Sequence, residues 1–193
     1  MNNSIKSTLS EMPEVLSDEI LSNTFLGNVI ELAIVTSDHR KTMEGLVKLG
    51  IGPWAIYEFN PDNIADQTYK GAPAEFAIKV CFAKSGNMMW EIMEPLWGPT
   101  IFQDYLDKHG DGLQHIAYDC NNCAWDERIT ELKNRGFKCI QSGKWMGKNA
   151  FAFFDTADAT GTIFETYHFP EDWVYPQPEE WYPAPPPEGV KWL

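Results

Sequence analysis

The sequence predicts an α+β fold of two tandem modules, each with the element order β-α-β-β-β. Apolar strand patterns and one amphipathic helix recur in the same order over residues 27–98 and 112–169. When Glu31 is laid over His115, "ELAIV" aligns with "HIAYD", and a glycine follows each helix at a similar distance. The last strand of each half also carries a glutamate within an apolar run. We therefore interpret the chain as an internal duplication.

The first module begins with the apolar strand "NVIELAIV". Asp38 can cap the following helix, "DHRKTMEGLVKLG", and Gly50 can end it. The next strands are expected in "PWAIYEF", "EFAIKVCFA" and "MMWEIMEPL", the last two joined by a Ser-Gly-Asn turn. Residues 60–74 are rich in turn formers, so we expect a loop there.

The second module repeats this order. Its first strand is "LQHIAYDC", and its helix "AWDERITELKNRG" ends at Gly136. Strands follow in "FKCIQSGKW", "NAFAFFDT" and "GTIFETYHF". Outside the modules, residues 1–26 form a polar arm with a short helix expected at 12–22. Residues 170–193 form a Pro/Trp-rich extension that favours extended conformations and is expected to cover the surface of the chain or to embrace a partner subunit.

Composition excludes several classes of partner. The net charge is −13, with 28 acidic and 15 basic side chains, which argues against binding to nucleic acid or to anionic membranes. No apolar run is long enough to span a membrane, and the N-terminus lacks the apolar core of a signal peptide, so a cytoplasmic protein is expected. The four cysteines, including the Cys120-x-x-Cys123 pair, are expected to be ordinary reduced thiols.

Four polar residues interrupt the apolar strands at equivalent points of the repeat: Glu31, Glu91, His115 and Glu165. A single glutamate in a strand usually faces solvent, but two modules related by pseudo-symmetry would bring all four to one locus. Three carboxylates can converge only if a cation, shared protons or a basic ligand offsets their repulsion. The simplest such cation is a divalent metal ion, and Mn, Fe, Ni, Co, Zn or Mg would suit these donors.

This arrangement resembles the vicinal oxygen chelate superfamily, which includes glyoxalase I, methylmalonyl-CoA epimerase, extradiol dioxygenases and bleomycin-resistance proteins. The resemblance rests on "LGIGPWAIYEF", "GNMMWEIMEPL", "GDGLQHIAYDC" and "GTIFETY". It implies a cupped, partly closed mixed sheet around a metal ion, with Glu91, His115 and Glu165 as ligands. The first ligand position is normally His or Gln and is Glu31 here. Glu31 is therefore either a fourth ligand or, if the ion is absent, serves another purpose.

The resemblance also implies a chemistry in which the metal stabilises an enolate while a carboxylate moves the proton. Glu165 and Glu31 are the candidate acid/base residues, and Glu75, which precedes the third strand, is a further one. We expect an isomerase or lyase that works as a homodimer on a small hydrophobic compound such as a secondary metabolite. The only basic pair near the site is Lys144 and Lys148, which does not favour a coenzyme A substrate.

Aromatic and apolar side chains in the strands are candidates for the substrate pocket. They are Trp54, Tyr57, Trp90, Met93, Tyr118, Phe151, Phe153 and Tyr167. Two alternatives stay open at this point: a metal-free acid/base enzyme that catalyses cyclisation, dehydration or rearrangement, and a protein that only sequesters a small molecule. An extradiol dioxygenase is disfavoured, since its ligand triad would need a histidine at position 31.

Overall fold

A computed structural model describes residues 25–190 and 192, so the helix expected at 12–22 lies outside the described residues. The strands are β1 (Val29–Val35), β2 (Trp54–Phe59), β3 (Ile64–Tyr69), β4 (Ala72–Pro73), β5 (Ala77–Ser85), β6 (Met88–Trp97), β7 (Gly112–Tyr118), β8 (Cys139–Trp145), β9 (Asn149–Phe154), β10 (Ile163–His168) and β11 (Glu180–Tyr182). The helices are α1 (His39–Lys48), α2 (Ile101–His109), α3 (Trp125–Asn134) and α4 (Ala157–Thr160). None of these helices is long and apolar enough to cross a membrane.

All eleven strands form one curled mixed sheet in the order β11-β2-β5-β6-β1-β7-β10-β9-β8-β3-β4. Strands β2, β5, β6 and β1 belong to the first module, and β7, β10, β9 and β8 to the second. In each module the first and last strands pair in parallel, while β1 and β7 join the modules by antiparallel pairing. The predicted α+β fold of two tandem β-α-β-β-β modules is confirmed.

Helices α1 and α3 cover the convex face of the sheet, and the concave face holds the main core. Asp38 caps α1 by accepting a hydrogen bond from the backbone of Lys41 at 3.0 Å, and Met43 of α1 is buried against the convex side of the first module. Leu132 of α3 packs in the same way on the second module. Burial alternates along β1, where Glu31 faces the concave side together with two small apolar residues.

Residues 60–74 are not the predicted loop, because they form β3 and β4. Strand β3 pairs with β8 of the second module, and a bulge interrupts the ladder after Ala65, where Asp66 has a φ of 56°. The Gln67 side chain replaces a strand partner for Phe76, accepting a hydrogen bond from its N–H and donating one to its carbonyl oxygen. The polar sequence of β3 gives no local strand signal, since its pairing partner lies in the other half of the chain.

The connection between the modules contains α2, a helix that the sequence analysis did not predict. The Thr100 hydroxyl caps it by accepting a hydrogen bond from the Gln103 N–H at 3.0 Å. Ile101 and Phe102 at its start are buried, and the Phe102 ring lies 6.0 Å from the ring of His115. The helix therefore supports the middle of the concave face.

Residues 169–182, here called the roof segment, lie across the concave face of their own chain. Strand β11 extends the sheet by antiparallel pairing with β2. The Tyr57 hydroxyl donates a hydrogen bond to the Pro176 carbonyl oxygen at 3.0 Å, and the rings of Trp145 and Trp173 lie 5.1 Å apart. A salt bridge of 2.9 Å from Lys79 to Glu179 adds to these contacts.

Candidate functional site

The four polar residues of the repeat lie on four adjacent strands, β6, β1, β7 and β10. The register is pseudo-symmetric: Ala33 pairs with both Glu91 and His115, and Ala117 pairs with both Glu31 and Glu165. Both alanines are fully buried. Because they occupy the centre of the concave face and are small, the longer side chains on either side can converge above them.

The structure brings the four side chains to one place. One donor atom from each of Glu31, Glu91, His115 and Glu165 lies within 4.8 Å of the other three, and no side chain is more than 5 % exposed. The Nε2 atom of His115 is 3.1 Å from Oε2 of Glu91 and 3.3 Å from Oε2 of Glu165. We call these residues the Glu3His cluster.

The ionisable side chains of the Glu3His cluster have pKa values that differ from their ordinary ones. Burial, followed by the neighbouring Glu91 and Glu165 carboxylates, raises the pKa of Glu31 well above its usual range. Burial likewise raises the pKa of Glu91 to about 7, against the hydrogen bond from His115. Burial lowers the pKa of His115, but the two carboxylates facing it prevail and raise it to about 9. The protein alone therefore holds protons where a cation would otherwise balance the charge.

The chemistry of the cluster fits a divalent metal ion. Three carboxylates and one imidazole are donors that Mn, Fe, Ni, Co, Zn and Mg accept. Oε2 of Glu165 is buried and lies 3.3 Å from Nε2 of His115, but it accepts no regular hydrogen bond from the described residues. On the far side of the ring, Nδ1 lies 2.6 Å from Oε1 of Gln114, which fixes the imidazole with Nε2 toward the carboxylates.

The cluster opens onto a cavity with an empty volume of about 520 Å³, a figure that includes space open to solvent. Glu31, Glu91 and Glu165 line one part of it. The walls are mainly apolar and include Phe59, Phe82, Met93, Trp145, Phe151 and Phe153. Phe169 and Tyr175 of the roof segment cover it. Tyr167 and Asn149 contribute further polar groups to the lining.

Of the predicted pocket residues, Met93, Phe151, Phe153 and Tyr167 line this cavity. Tyr57 belongs to the same core, with its ring 5.1 Å from that of Trp145.

Trp54, Trp90 and Tyr118 do not line the cavity and are removed from the candidate site. Trp54 and Trp90 pack against α1 on the convex side, and the Tyr118 ring contacts Phe164 at 4.9 Å. The reason is strand alternation: each residue lies an odd number of positions from a residue that faces the concave side. Trp90, for example, directly precedes Glu91.

Glu75 is also placed away from the cluster. It is exposed, precedes β5, and borders a surface depression together with Pro61 and Pro73. The structure therefore does not bring this proposed base to the cavity.

Sequence reasoning missed several cavity residues. Phe59 and Phe82 could have been found by counting every second residue along β2 and β5, the same rule that removes Trp54. Trp145 follows the same alternation in β8, but the buried positions before it are Gln141 and Gly143, which give no apolar signal. Tyr175 carried no signal, because its position depends on how the roof segment folds back over the sheet.

Comparison with known proteins places the chain in a family. The sequence matches the Glyoxalase/Bleomycin resistance protein/Dioxygenase superfamily over residues 31–154, well over half of its length. The chain belongs to this superfamily. The match includes three members of the Glu3His cluster, and Glu165 follows on β10. The resemblance to vicinal oxygen chelate proteins is thereby confirmed.

Relatives within the glyoxalase superfamily are distant. The uncharacterized protein YqjC of Bacillus subtilis is 29% identical over 93 residues, which cover 47% of this chain and 65% of YqjC. Methylmalonyl-CoA epimerase from Mycobacterium tuberculosis has a similar fold, with a TM-score of 0.57 at 18% identity over 78% of this chain and 93% of that one. A hypothetical protein from Bacillus halodurans gives 0.56 at 19% identity over 77% and 98%. At such identities the structural likeness shows the fold alone.

Proposed function

We propose that this protein is a glyoxalase-like enzyme of the isomerase or lyase type that acts on a small hydrophobic organic substrate. The Glu3His cluster would hold a divalent metal ion, and a carboxylate of the cluster would move a proton on the substrate. The observation that carries this proposal is the convergence of three carboxylates and one imidazole within 4.8 Å at one side of an apolar cavity.

A divalent ion in this site would supply positive charge to stabilise the negative charge that develops on a substrate oxygen as a neighbouring carbon loses its proton. Within the chain, Glu31 and Glu165 both line the cavity, and Glu165 is one of the carboxylates that raise the pKa of Glu31. This shift favours the protonated form of Glu31 when no cation is bound beside it. Oε2 of Glu165 accepts no regular hydrogen bond from the described residues, which suits an acceptor for the substrate proton.

The surroundings of the cluster support proton transfer rather than hydrolysis. The aromatic walls and the roof segment limit the access of water, so electrostatic interactions inside the cavity are stronger than in bulk solvent. Gln114 holds His115 in one orientation. The Nε2 atom of Gln114 itself donates a hydrogen bond to the Ile101 carbonyl oxygen at 3.0 Å. We assign Gln114 the role of a positioning residue.

Metal content and proton exchange test the proposal. The purified protein is dialysed against each divalent ion, the bound metal is measured by mass spectrometry, and deuterium uptake at the carbon beside a ketone is followed by NMR with α-hydroxyacetophenone. We expect about one ion per chain and exchange above the buffer rate. His115→Ala should lose both. His39→Ala is the matched control, because His39 also contacts a glutamate, Glu94, at 2.6 Å, but outside the cavity.

Two results would change the assignment. Exchange that persists without bound metal and is lost in Glu165→Gln would instead support the metal-free acid/base enzyme. Tight binding of small molecules, with neither metal nor exchange under any condition, would support a sequestering protein and overturn the enzymatic proposal.

A further inference from the structure

Asn149 is a buried polar residue that the proposed chemistry does not use. It is the first residue of β9, is 6 % exposed, and lines the same cavity as the Glu3His cluster. Its Oδ1 has no hydrogen-bond partner among the described residues. A buried amide oxygen without a partner is unfavourable, and native proteins rarely keep one without reason.

The Asn149 side chain is not needed to close the adjacent turn. The β8–β9 turn is closed by backbone hydrogen bonds from the Lys148 N–H to the Trp145 carbonyl at 3.0 Å and from the Gly147 N–H to the Lys144 carbonyl at 3.2 Å. The side chain of Asn149 takes part in neither. Its polar group is therefore available to something within the cavity.

Strand geometry separates Asn149 from the cluster. The Phe153 ring lies 4.9 Å from the ring of His115, so Phe153 marks the level of the cluster on β9. Asn149 precedes it by four residues on the same face, which corresponds to about 13 Å along the strand. Phe151, between them, also lines the cavity. A ligand that touches both the cluster and the amide must therefore cross an apolar section.

The lining also limits the charge of a ligand. Among the described residues that line the cavity, three are glutamates and none is lysine or arginine. The nearby Lys144 and Lys148 form ion pairs of 2.9 Å with Asp66 and Asp172. Neither lysine is therefore free to form an ion pair with a phosphate group of a ligand.

We propose that Asn149 determines substrate specificity by hydrogen-bonding a hydroxyl or N–H group at the end of the substrate remote from the Glu3His cluster. The substrate class is a compact, uncharged molecule with a flat apolar body, an enolisable carbonyl beside a second oxygen at one end, and a hydrogen-bond donor at the other. A coenzyme A tail is excluded. This inference rests on the proposed function, which supplies the role of the carbonyl end.

Binding of two probes tests this inference by calorimetry. The probes are α-hydroxyacetophenone and its para-hydroxyl derivative, which differ only in the group that would reach Asn149. We expect the wild-type protein to bind the para-hydroxyl probe about tenfold more tightly, as for one buried hydrogen bond. Asn149→Leu should abolish this preference and melt no earlier than wild type. Asn134→Leu, the same exchange at an exposed position of α3, should retain the preference.

Equal affinity for the two probes in the wild type, a preference that survives in Asn149→Leu, or failure to bind either probe would overturn the inference. Tight binding of acetyl-CoA would do so as well. Metal content and deuterium exchange, measured on the same Asn149→Leu protein, report on the proposed function separately. Loss of hydroxyl preference with normal metal content leaves that function standing, whereas absence of metal with an intact preference counts against the function alone.

Discussion

The stability of the metal-free protein should fall as the pH rises, because the Glu3His cluster binds protons more tightly in the folded state than in the unfolded chain. The pKa of Glu91 rises from its ordinary 4.5 to about 7 on folding. Between these values the folded state holds more protons, so stability decreases with pH. A pKa difference of this size corresponds to about 3 kcal/mol. The pKa of His115, raised from 6.5 to about 9, acts in the same direction over a higher window.

Urea unfolding in a chelating buffer at about pH 5 and about pH 8 measures this effect. Because the acidic chain also repels itself more strongly at higher pH, the comparison needs variants. Glu91→Gln removes one buried titrating group, so the stability of this variant should decrease much less with pH than that of the wild type. Glu127→Gln removes the same charge from the exposed surface of α3, and its stability should decrease with pH as in the wild type. A saturating divalent ion should raise stability most at the higher pH, where it no longer competes with protons.

Superimposable pH profiles for the wild type and Glu91→Gln would refute this reasoning. So would a wild-type stability that rises over this range. Either result would mean that Glu91 is not held among the other carboxylates in an environment shielded from water.

Two further predictions concern positions outside the cavity. Arg128→Met should lower the free energy of unfolding by about 3 kcal/mol, because the buried guanidinium donates hydrogen bonds to two backbone carbonyl groups. In the same urea titration, Arg135→Met at an exposed position should change the free energy of unfolding by about 0.5 kcal/mol or less. Gly98→Ala should be severely destabilising in thermal melts, because φ is 80° and a Cβ would lie 2.3 Å from the Glu75 carbonyl oxygen. Gly86→Ala, with φ of 62° but open space around the Cβ, should cost only about 1–2 kcal/mol.

The repeat made much of this fold readable from sequence. Glu31 and His115 occupy equivalent positions in equivalent strands, and that equivalence predicts from the sequence alone that they converge. The strand period then determines which neighbours face the cavity, as Met93 does and Trp90 does not.

Other features could not be predicted, because their causes are not local. Strand β3 is stabilised by pairing with β8, so the hydrogen-bond partner of Thr68 is Ser142 at 2.7 Å, far along the chain. Tyr175 reaches the cavity because the roof segment contacts Tyr57 and Trp145 and because β11 pairs with β2. Sequence patterns within a short window contain no record of such pairings. The expected homodimer stays a prediction.

The position of the roof segment in the chain has a consequence for biosynthesis. Every strand of the two modules precedes residues 169–182, so a ribosome completes both modules before the residues that cover them are made. In a chain whose roof segment has not yet docked, Trp145 and its aromatic neighbours face water or a chaperone. Exposed rings of this kind promote association between unfinished chains. Docking of Trp173 and Tyr175 onto Trp145 ends this exposure, so the roof segment also protects the two modules from aggregation.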